Sequence, residues 1–284
     1  MSATTLASAP RPGRLPGPPV PWGRHGLRAA AATYLVLMVA LPVAVVARSG
    51  LSGGIDAFVR ALWHPVARAA LLLTLESAAV MALVNAFMGT LTAYVLVRYR
   101  FPGRRLLNLL IDLPFAIPTL VAGLMLVVLL GPGAPLGRSL ESAGLRVVYA
   151  PASIVLCLLF VTLPFVVRAV EPVLRELDPA EEEAARTLGA SDITAFRRVV
   201  LPALTPAILS GALLSFSRAL GEFGSIVVVA GNIPRRTLTA AVFVFGEVES
   251  GNPQAASAMA LVLITISFAV LVLVDAFSRK RVHA

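Results

Sequence analysis

The sequence predicts an all-α integral membrane protein with six transmembrane helices, and three observations carry that prediction. Of the 284 residues, 58% are hydrophobic and only 14% charged, against about 25% charged in a soluble domain, so too little polar surface remains to clothe a water-soluble globule. Mean hydropathy is strongly positive. Six apolar segments, at residues 27–47, 69–97, 106–130, 152–170, 206–230 and 255–277, each lie near or above the ~20 residues that cross ~30 Å of hydrocarbon as helix.

Taken in order, residues 1–26 hold Pro10, Pro12, Pro16, Pro18, Pro19 and Pro21 among glycines and arginines. Such a stretch neither buries an apolar face nor propagates a helix, which predicts a disordered cytoplasmic tail. Residues 27–69 carry the first span and an outer loop. The apolar core of that span exceeds the ~7–15 residues of a signal-peptide core, so it is expected to be retained. Residues 70–277 form the main transmembrane domain, and 278–284 a second cytoplasmic tail.

Orientation follows from the basic residues. One set of connecting segments carries 16 Lys and Arg, the opposite set 7, and Arg218 lies alone inside a span. The positive-inside rule then places both termini in the cytoplasm, in agreement with an even number of spans. The net charge of +9 is read as this topological signal and not as a nucleic-acid surface. Cys157 is the single cysteine, which excludes an intrachain disulfide, and His25, His64 and His283 have no spacing that brings two onto one metal.

The loop between the fourth and fifth spans is itself patterned as two helices. Asp178 is placed as N-cap, Pro179 fits the first helical position, and Glu181 completes an Asp-x-x-Glu capping box. Glu181, Glu182 and Glu183 then sit in the first turn, where the helix dipole favours negative charge. Gly189 ends this helix in the left-handed conformation, and Ser191 caps a second one that runs through Val200 and stops before Pro202. Leu188, Ile193, Phe196 and Val199 are apolar in an otherwise polar loop, so their helical spacing predicts a surface for something outside the membrane.

These residues carry a resemblance. Glu183-Ala184-Ala185, three residues, Gly189, nine residues and then Val199-Val200-Leu201-Pro202 resembles the EAA motif of type I ABC importer permeases, whose loop inserts into a groove on the ATPase. The resemblance implies the type I ABC importer permease fold, with Glu183, Ala184, Ala185 and Gly189 building a coupling helix that transmits nucleotide-driven motion to the spans. It extends over about residues 70–277. Asp112 to Thr119 with Val121-Ala122-Gly123, Leu163 to Arg168, Arg218 to Gly224 and Ala230 to Pro234 look like sulfate/thiosulfate permeases, closer to the T subunit than to its W partner. Molybdate and tungstate permeases share the Arg218–Gly224 and Ala230–Pro234 stretches, so that substrate class stays open as an alternative.

What the resemblance implies is assembly with a W-type permease subunit, an ATPase dimer and an extracytoplasmic sulfate-binding protein, in the lipid of the plasma (inner) membrane. No nucleic-acid partner is expected. The sequence bears on this division of labour: a P-loop needs the lysine of G-x-x-x-x-G-K-[ST], and the only lysine is Lys280, after the last span. The chain is therefore expected to hold no cofactor and to perform no catalysis itself, with ATP and Mg bound in the partner ATPase.

Charges within spans are costly, by ~2.5–3.5 kcal/mol on insertion scales, and usually face a bundle interior or a wet cavity. Arg218 is expected near mid-depth of the fifth span, with Glu222 four residues later on the same face. Glu76 in the second span lies at similar depth to Glu222, so that depth allows a cluster of Arg218 with Glu222 or with Glu76. The cluster is either a structural ion pair or a lining of the translocation path for an anion. Asn232, and the outer Arg235 and Arg236, are further candidates on the anion's route. Asp112 is read as a helix-start group and Asn85 as an interhelical hydrogen bonder. Pro114 and Pro118 kink the third span and Gly123 permits close helix approach, which marks this segment as a candidate gate. A secondary transporter using Glu76, Asp112 and Arg218 as an ion relay is the alternative of a different class; for an intramembrane enzyme the sequence offers no serine with a nearby histidine, no aspartyl pair in facing spans and no metal-ligand spacing.

Overall fold

The computed structural model describes residues 21–279, and every regular element among them is helical. Two compact units are present, one ending at Val45 and one beginning at Val46. The tail assigned to residues 1–26 falls outside the described residues up to residue 20; from Pro21 the chain is already helical.

The first unit consists of α1 (Pro21–Leu35), a π-helical turn (Val36–Ala40) and the start of α2 (Leu41–Gly50). Together, His25–Gly50 is long and apolar enough to cross a bilayer.

The second unit continues with α3 (Gly54–Trp63), α4 (Pro65–Arg98), α5 (Arg104–Ala116), α6 (Thr119–Leu130), α7 (Pro135–Ser142) and α8 (Pro151–Glu176). A loop follows with α9 (Pro179–Thr187), α10 (Asp192–Ala195) and a π-helical turn (Phe196–Val200), then α11 (Leu201–Leu220), α12 (Gly224–Val229), α13 (Ala240–Glu249) and α14 (Pro253–Arg279). Pro65–Arg98, Pro151–Glu176, Asp192–Leu220 and Pro253–Ala276 meet the length and hydropathy of spanning helices.

The core is a three-helix crossing of α4, α8 and α11, made by small residues. A Cβ on Gly89 would stand 2.8 Å from the Val166 side chain, and one on Gly211 2.9 Å from the Val166 backbone. Helix association in lipid depends on such close approach, since lipid tails are as apolar as leucine. One turn further out, Asn85 Nδ2 donates to Thr162 Oγ1 at 2.9 Å, the interhelical role expected of it.

Three expected boundaries change. The third span is two helices, α5 and α6, meeting at 115°. Pro118 lacks an N–H, and the residue before a proline is driven from helical geometry; Ile117 is extended at φ −84°, ψ 127°. The second loop helix does not stop before Pro202 but runs on unbroken from Asp192 to Leu220. The intervening π turn, closed by the Leu201 N–H on the Phe196 carbonyl, widens the helix where a proline ring meets the carbonyl four residues back. The fifth span, expected to run to residue 230, ends instead at Leu220, and α12 starts separately at Gly224.

Candidate coupling site

The loop between α8 and α11 holds a helix with both ends fixed by local chemistry. Asp178 Oδ1 accepts the Ala180 N–H at 2.9 Å to cap α9, with Pro179 in its first turn. At the other end Gly189 has φ 89°. Its N–H reaches the Arg186 carbonyl at 2.9 Å, and the Ala190 N–H reaches that of Ala185 at 3.0 Å, the paired bonds of a Schellman ending. Ser191 Oγ then accepts the Thr194 N–H at 3.3 Å to start α10. The rigid turn is therefore joined directly to a helix that enters the membrane.

What holds α9 against the spans is Glu182, which is 3% exposed. Its carboxylate accepts Arg98 Nε at 2.8 Å and the Tyr94 hydroxyl at 3.2 Å, both from the end of α4. Arg98 also donates to the Leu177 carbonyl at 3.2 Å. Phe196 stacks edge-on to Tyr94 at 5.3 Å between centroids, so α4, α9 and the start of the long helix meet at one point. Arg186 bonds Asp192 at 2.8 Å across the glycine turn, and this bond drives its already high pKa upward. Glu183 and Ala184 face solvent and Ala185 is half-buried. Leu188 is 89% exposed and Ile193 is also exposed, which leaves an apolar patch beside the helix end; Phe196 instead packs inward. Reading the sequence did not single out Glu182 from its two neighbours. The available signal was Ala185 and Arg186, one helical turn later on the same face.

Next to this site, Arg168 of α8 forks onto Asp112 of α5, Nε to Oδ1 at 2.8 Å and Nη2 to Oδ2 at 2.6 Å. It also bonds Asn108 and Glu171, and Glu171 is held by Arg175 as well. Asp112 therefore lies inside α5 as half of a two-toothed ion pair, not at a helix start. This pair clamps the first half of the broken span to α8.

Higher in the membrane, Arg218 Nη2 pairs with Glu222 Oε2 at 2.9 Å, but Glu76 does not join them: it is exposed on α4, while Ser77 and Ala78 turn to the core. A relay through Glu76, Asp112 and Arg218 is thus not assembled, since Asp112 and Arg218 hold separate partners. Asn232 is turned to local use. At φ 52° its Nδ2 donates to the Val227 carbonyl at 2.9 Å, closing the end of α12. Arg235 and Arg236 are exposed in the following turn. Pro114 is buried inside α5, and Pro118 stands at the head of α6. Gly123 makes the close approach expected of it: a Cβ there would lie 2.3 Å from the Ser225 carbonyl oxygen, so α6 lies directly on α12.

The family described as "Binding-protein-dependent transport system inner membrane component" matches residues 85–283. The chain belongs to this family. It is 41% identical over 242 residues, 85% of each chain, to the "Probable sulfate transport system permease protein cysT" of Nephroselmis olivacea. It is 45% identical over 208 residues, 73% of this chain and 75% of the other, to the "Sulfate transport system permease protein CysT" of Salmonella typhimurium. The CysW protein of Synechocystis is 39% identical over 260 residues, 92% of this chain and 94% of that one. Among solved structures, a chain of the bacterial alginate ABC transporter in complex with its pentasaccharide-bound periplasmic protein superposes with a TM-score of 0.75 at 16% identity, over 91% of this chain and 94% of that one. At that identity the likeness concerns the fold: this permease has the architecture of an ABC importer membrane subunit, and it is a multi-pass membrane protein.

Proposed function

We propose that this chain is the T-type permease subunit of an ATP-driven importer that moves sulfate or thiosulfate from an extracytoplasmic binding protein into the cytoplasm, both termini lying on the cytoplasmic side. The observation that carries the mechanism is the doubly fixed α9. Glu182 ties it to α4, and the Gly189 turn ties it to the helix Asp192–Leu220. A push on the exposed face of Glu183 and Ala184, with Leu188 beside it, reaches both helices at once. The sulfate assignment is supported by the CysT relatives at 39–45% identity.

The steps follow from the contacts. A small rigid element between separate bodies acts as a lever when its ends are fixed. Motion of α9 passes along the long helix to Arg218–Glu222, and from Glu222 through Ser225 to α12, which lies on α6 at Gly123. The 115° break between α5 and α6, with Pro114 before it in α5, Pro118 at the break and Gly123 beyond it in α6, is then the segment that opens and closes the path. The Arg168–Asp112 pair keeps α5 fixed on α8 while α6 moves. ATP and Mg are bound by a dimer of partner ATPases, a W-type permease completes the pore, and this chain supplies neither cofactor nor catalysis.

The test is reconstitution with the W-type subunit, the ATPase and the binding protein. Sulfate-loaded binding protein is expected to stimulate ATP turnover and uptake. Stimulation by molybdate alone would overturn the substrate assignment in favour of the molybdate/tungstate class.

A further inference from the structure

We propose that Arg218 is the charged contact that a divalent tetrahedral oxyanion meets inside the membrane, aimed into the path by Glu222 where the two broken spans cross. The inference rests on the permease reading above and adds to it a named point of contact.

The depth comes from packing. Ser215 Oγ of α11 donates to the Thr162 carbonyl of α8 at 3.4 Å. Thr162 lies eleven residues from the outer start of α8 at Pro151 and Arg218 three residues beyond Ser215 towards that end, which leaves Arg218 about 12 Å along the helix from it at 1.5 Å per residue. Arg218 thus sits well within the hydrocarbon thickness.

The pair is asymmetric. Glu222 is 2% exposed and both its oxygens are engaged: Oε1 accepts the Ser225 N–H at 3.0 Å and the Ser225 hydroxyl at 2.8 Å, and Oε2 forms the ion pair with Arg218 Nη2 at 2.9 Å. The Arg218 side chain is 37% exposed. A guanidinium has five N–H donors, and among the described residues the ion pair with Glu222 is the one polar contact shown for Arg218. The carboxylate lies behind and the cation in front, a dipole with its positive end outward. Such an end attracts a dianion less strongly than a bare cation, which suits an ion that must leave as readily as it enters.

An exposed charge at this depth does not face lipid, because insertion of arginine into hydrocarbon is unfavourable by at least ~2.5 kcal/mol. The backbone supports the same conclusion. Gly221 to Phe223 interrupt α11 and α12, and Ile117–Pro118 interrupts α5 and α6. These breaks adjoin: a Cβ on Gly224 would lie 2.3 Å from Thr119 Oγ1. Non-helical backbone at membrane depth is tolerated only inside protein or along a water-filled cavity, and Gly221 is exposed. A structural ion pair alone needs no exposed guanidinium beside such a break.

The experiment uses the complete importer in proteoliposomes, with Cys157→Ser as background and Arg218→Cys added. Water-soluble thiol reagents are expected to label this cysteine, sulfate to slow the labelling, and a cationic adduct, but not an anionic one, to restore uptake. In parallel, Arg218→Gln/Glu222→Gln removes both charges while leaving Ser225 an acceptor. Uptake by this assembled double variant is expected to fall at least about tenfold, with Arg218→Lys falling less. Wild-type uptake by the double variant, or a cysteine closed to aqueous reagents, would overturn the proposal. Labelling needs no transport, so it decides the point even if the wild-type complex moves molybdate in place of sulfate, or neither, which would count against the permease assignment instead.

Discussion

Replacing Glu182 by alanine is the sharpest perturbation of the lever. The carboxylate is buried and pairs with Arg98 at 2.8 Å, and Arg98 is itself largely enclosed. Removing one member of such a pair leaves an uncompensated charge and is unfavourable by ~3–5 kcal/mol. Arg98 keeps some contact with solvent, so about 3 kcal/mol is the expected loss for the attachment of α9 to α4. At 1.4 kcal/mol per decade this is an increase of roughly 100-fold in local opening. Amide hydrogen exchange over residues 182–190 of the assembled complex reads that opening directly, and ATP-driven uptake is expected to fall with it. Replacing both partners, as Arg98→Met with Glu182→Leu, removes the orphaned charge and is expected to restore most of the protection, because apolar groups of similar volume often substitute for a buried ion pair without loss. Exchange in Glu182→Ala within about twofold of wild type, on that same scale of tenfold per 1.4 kcal/mol, would refute the anchoring role.

Three further perturbations probe other parts. Gly189→Ala meets no steric obstacle, since open space surrounds the position, so it isolates the left-handed backbone cost of ~1–2 kcal/mol. Transport per ATP should drop, with Gly189→Asn closer to wild type. Gly123→Ala places a methyl group 2.3 Å from the Ser225 carbonyl oxygen, a backbone atom that cannot swing aside. Overpacking of about 1–3 kcal/mol should lower the thermal midpoint of the purified complex. Asn85→Leu removes the bond to Thr162 for only ~0.6 kcal/mol, the average for side-chain hydrogen bonds between membrane helices, a small shift in detergent unfolding.

The parts of this protein that read directly from sequence are those written in local chemistry. Asp178, Gly189 and Ser191 each act through bonds to residues within five positions, so the helix, turn and second helix of the loop followed from residue types alone. Pro202 misled because the rule that proline ends a helix assumes α geometry on its N-terminal side. Both π turns, Val36–Ala40 and Phe196–Val200, directly precede a Leu-Pro step, and the wider turn accommodates the ring. Pro118 marked a kink, but its size depends on α6 lying against α12 at Gly123, a contact between segments about a hundred residues apart. Glu76 was matched to Arg218 by depth, and depth fixes height in the bilayer but not which side of a helix a residue occupies. The Glu182–Arg98 pair joins residues 84 apart, and no local pattern distinguishes Glu182 from Glu181 or Glu183.

The central claim is that this polypeptide is moved by a separate ATPase pressing on α9. Sulfate accumulation in proteoliposomes tests it most directly when the complete complex is compared with one whose ATPase subunits bind ATP but do not hydrolyse it. Accumulation is expected to vanish in the second preparation while the complex remains assembled. Uphill accumulation that persists there, powered by an ion gradient alone, would contradict the claim.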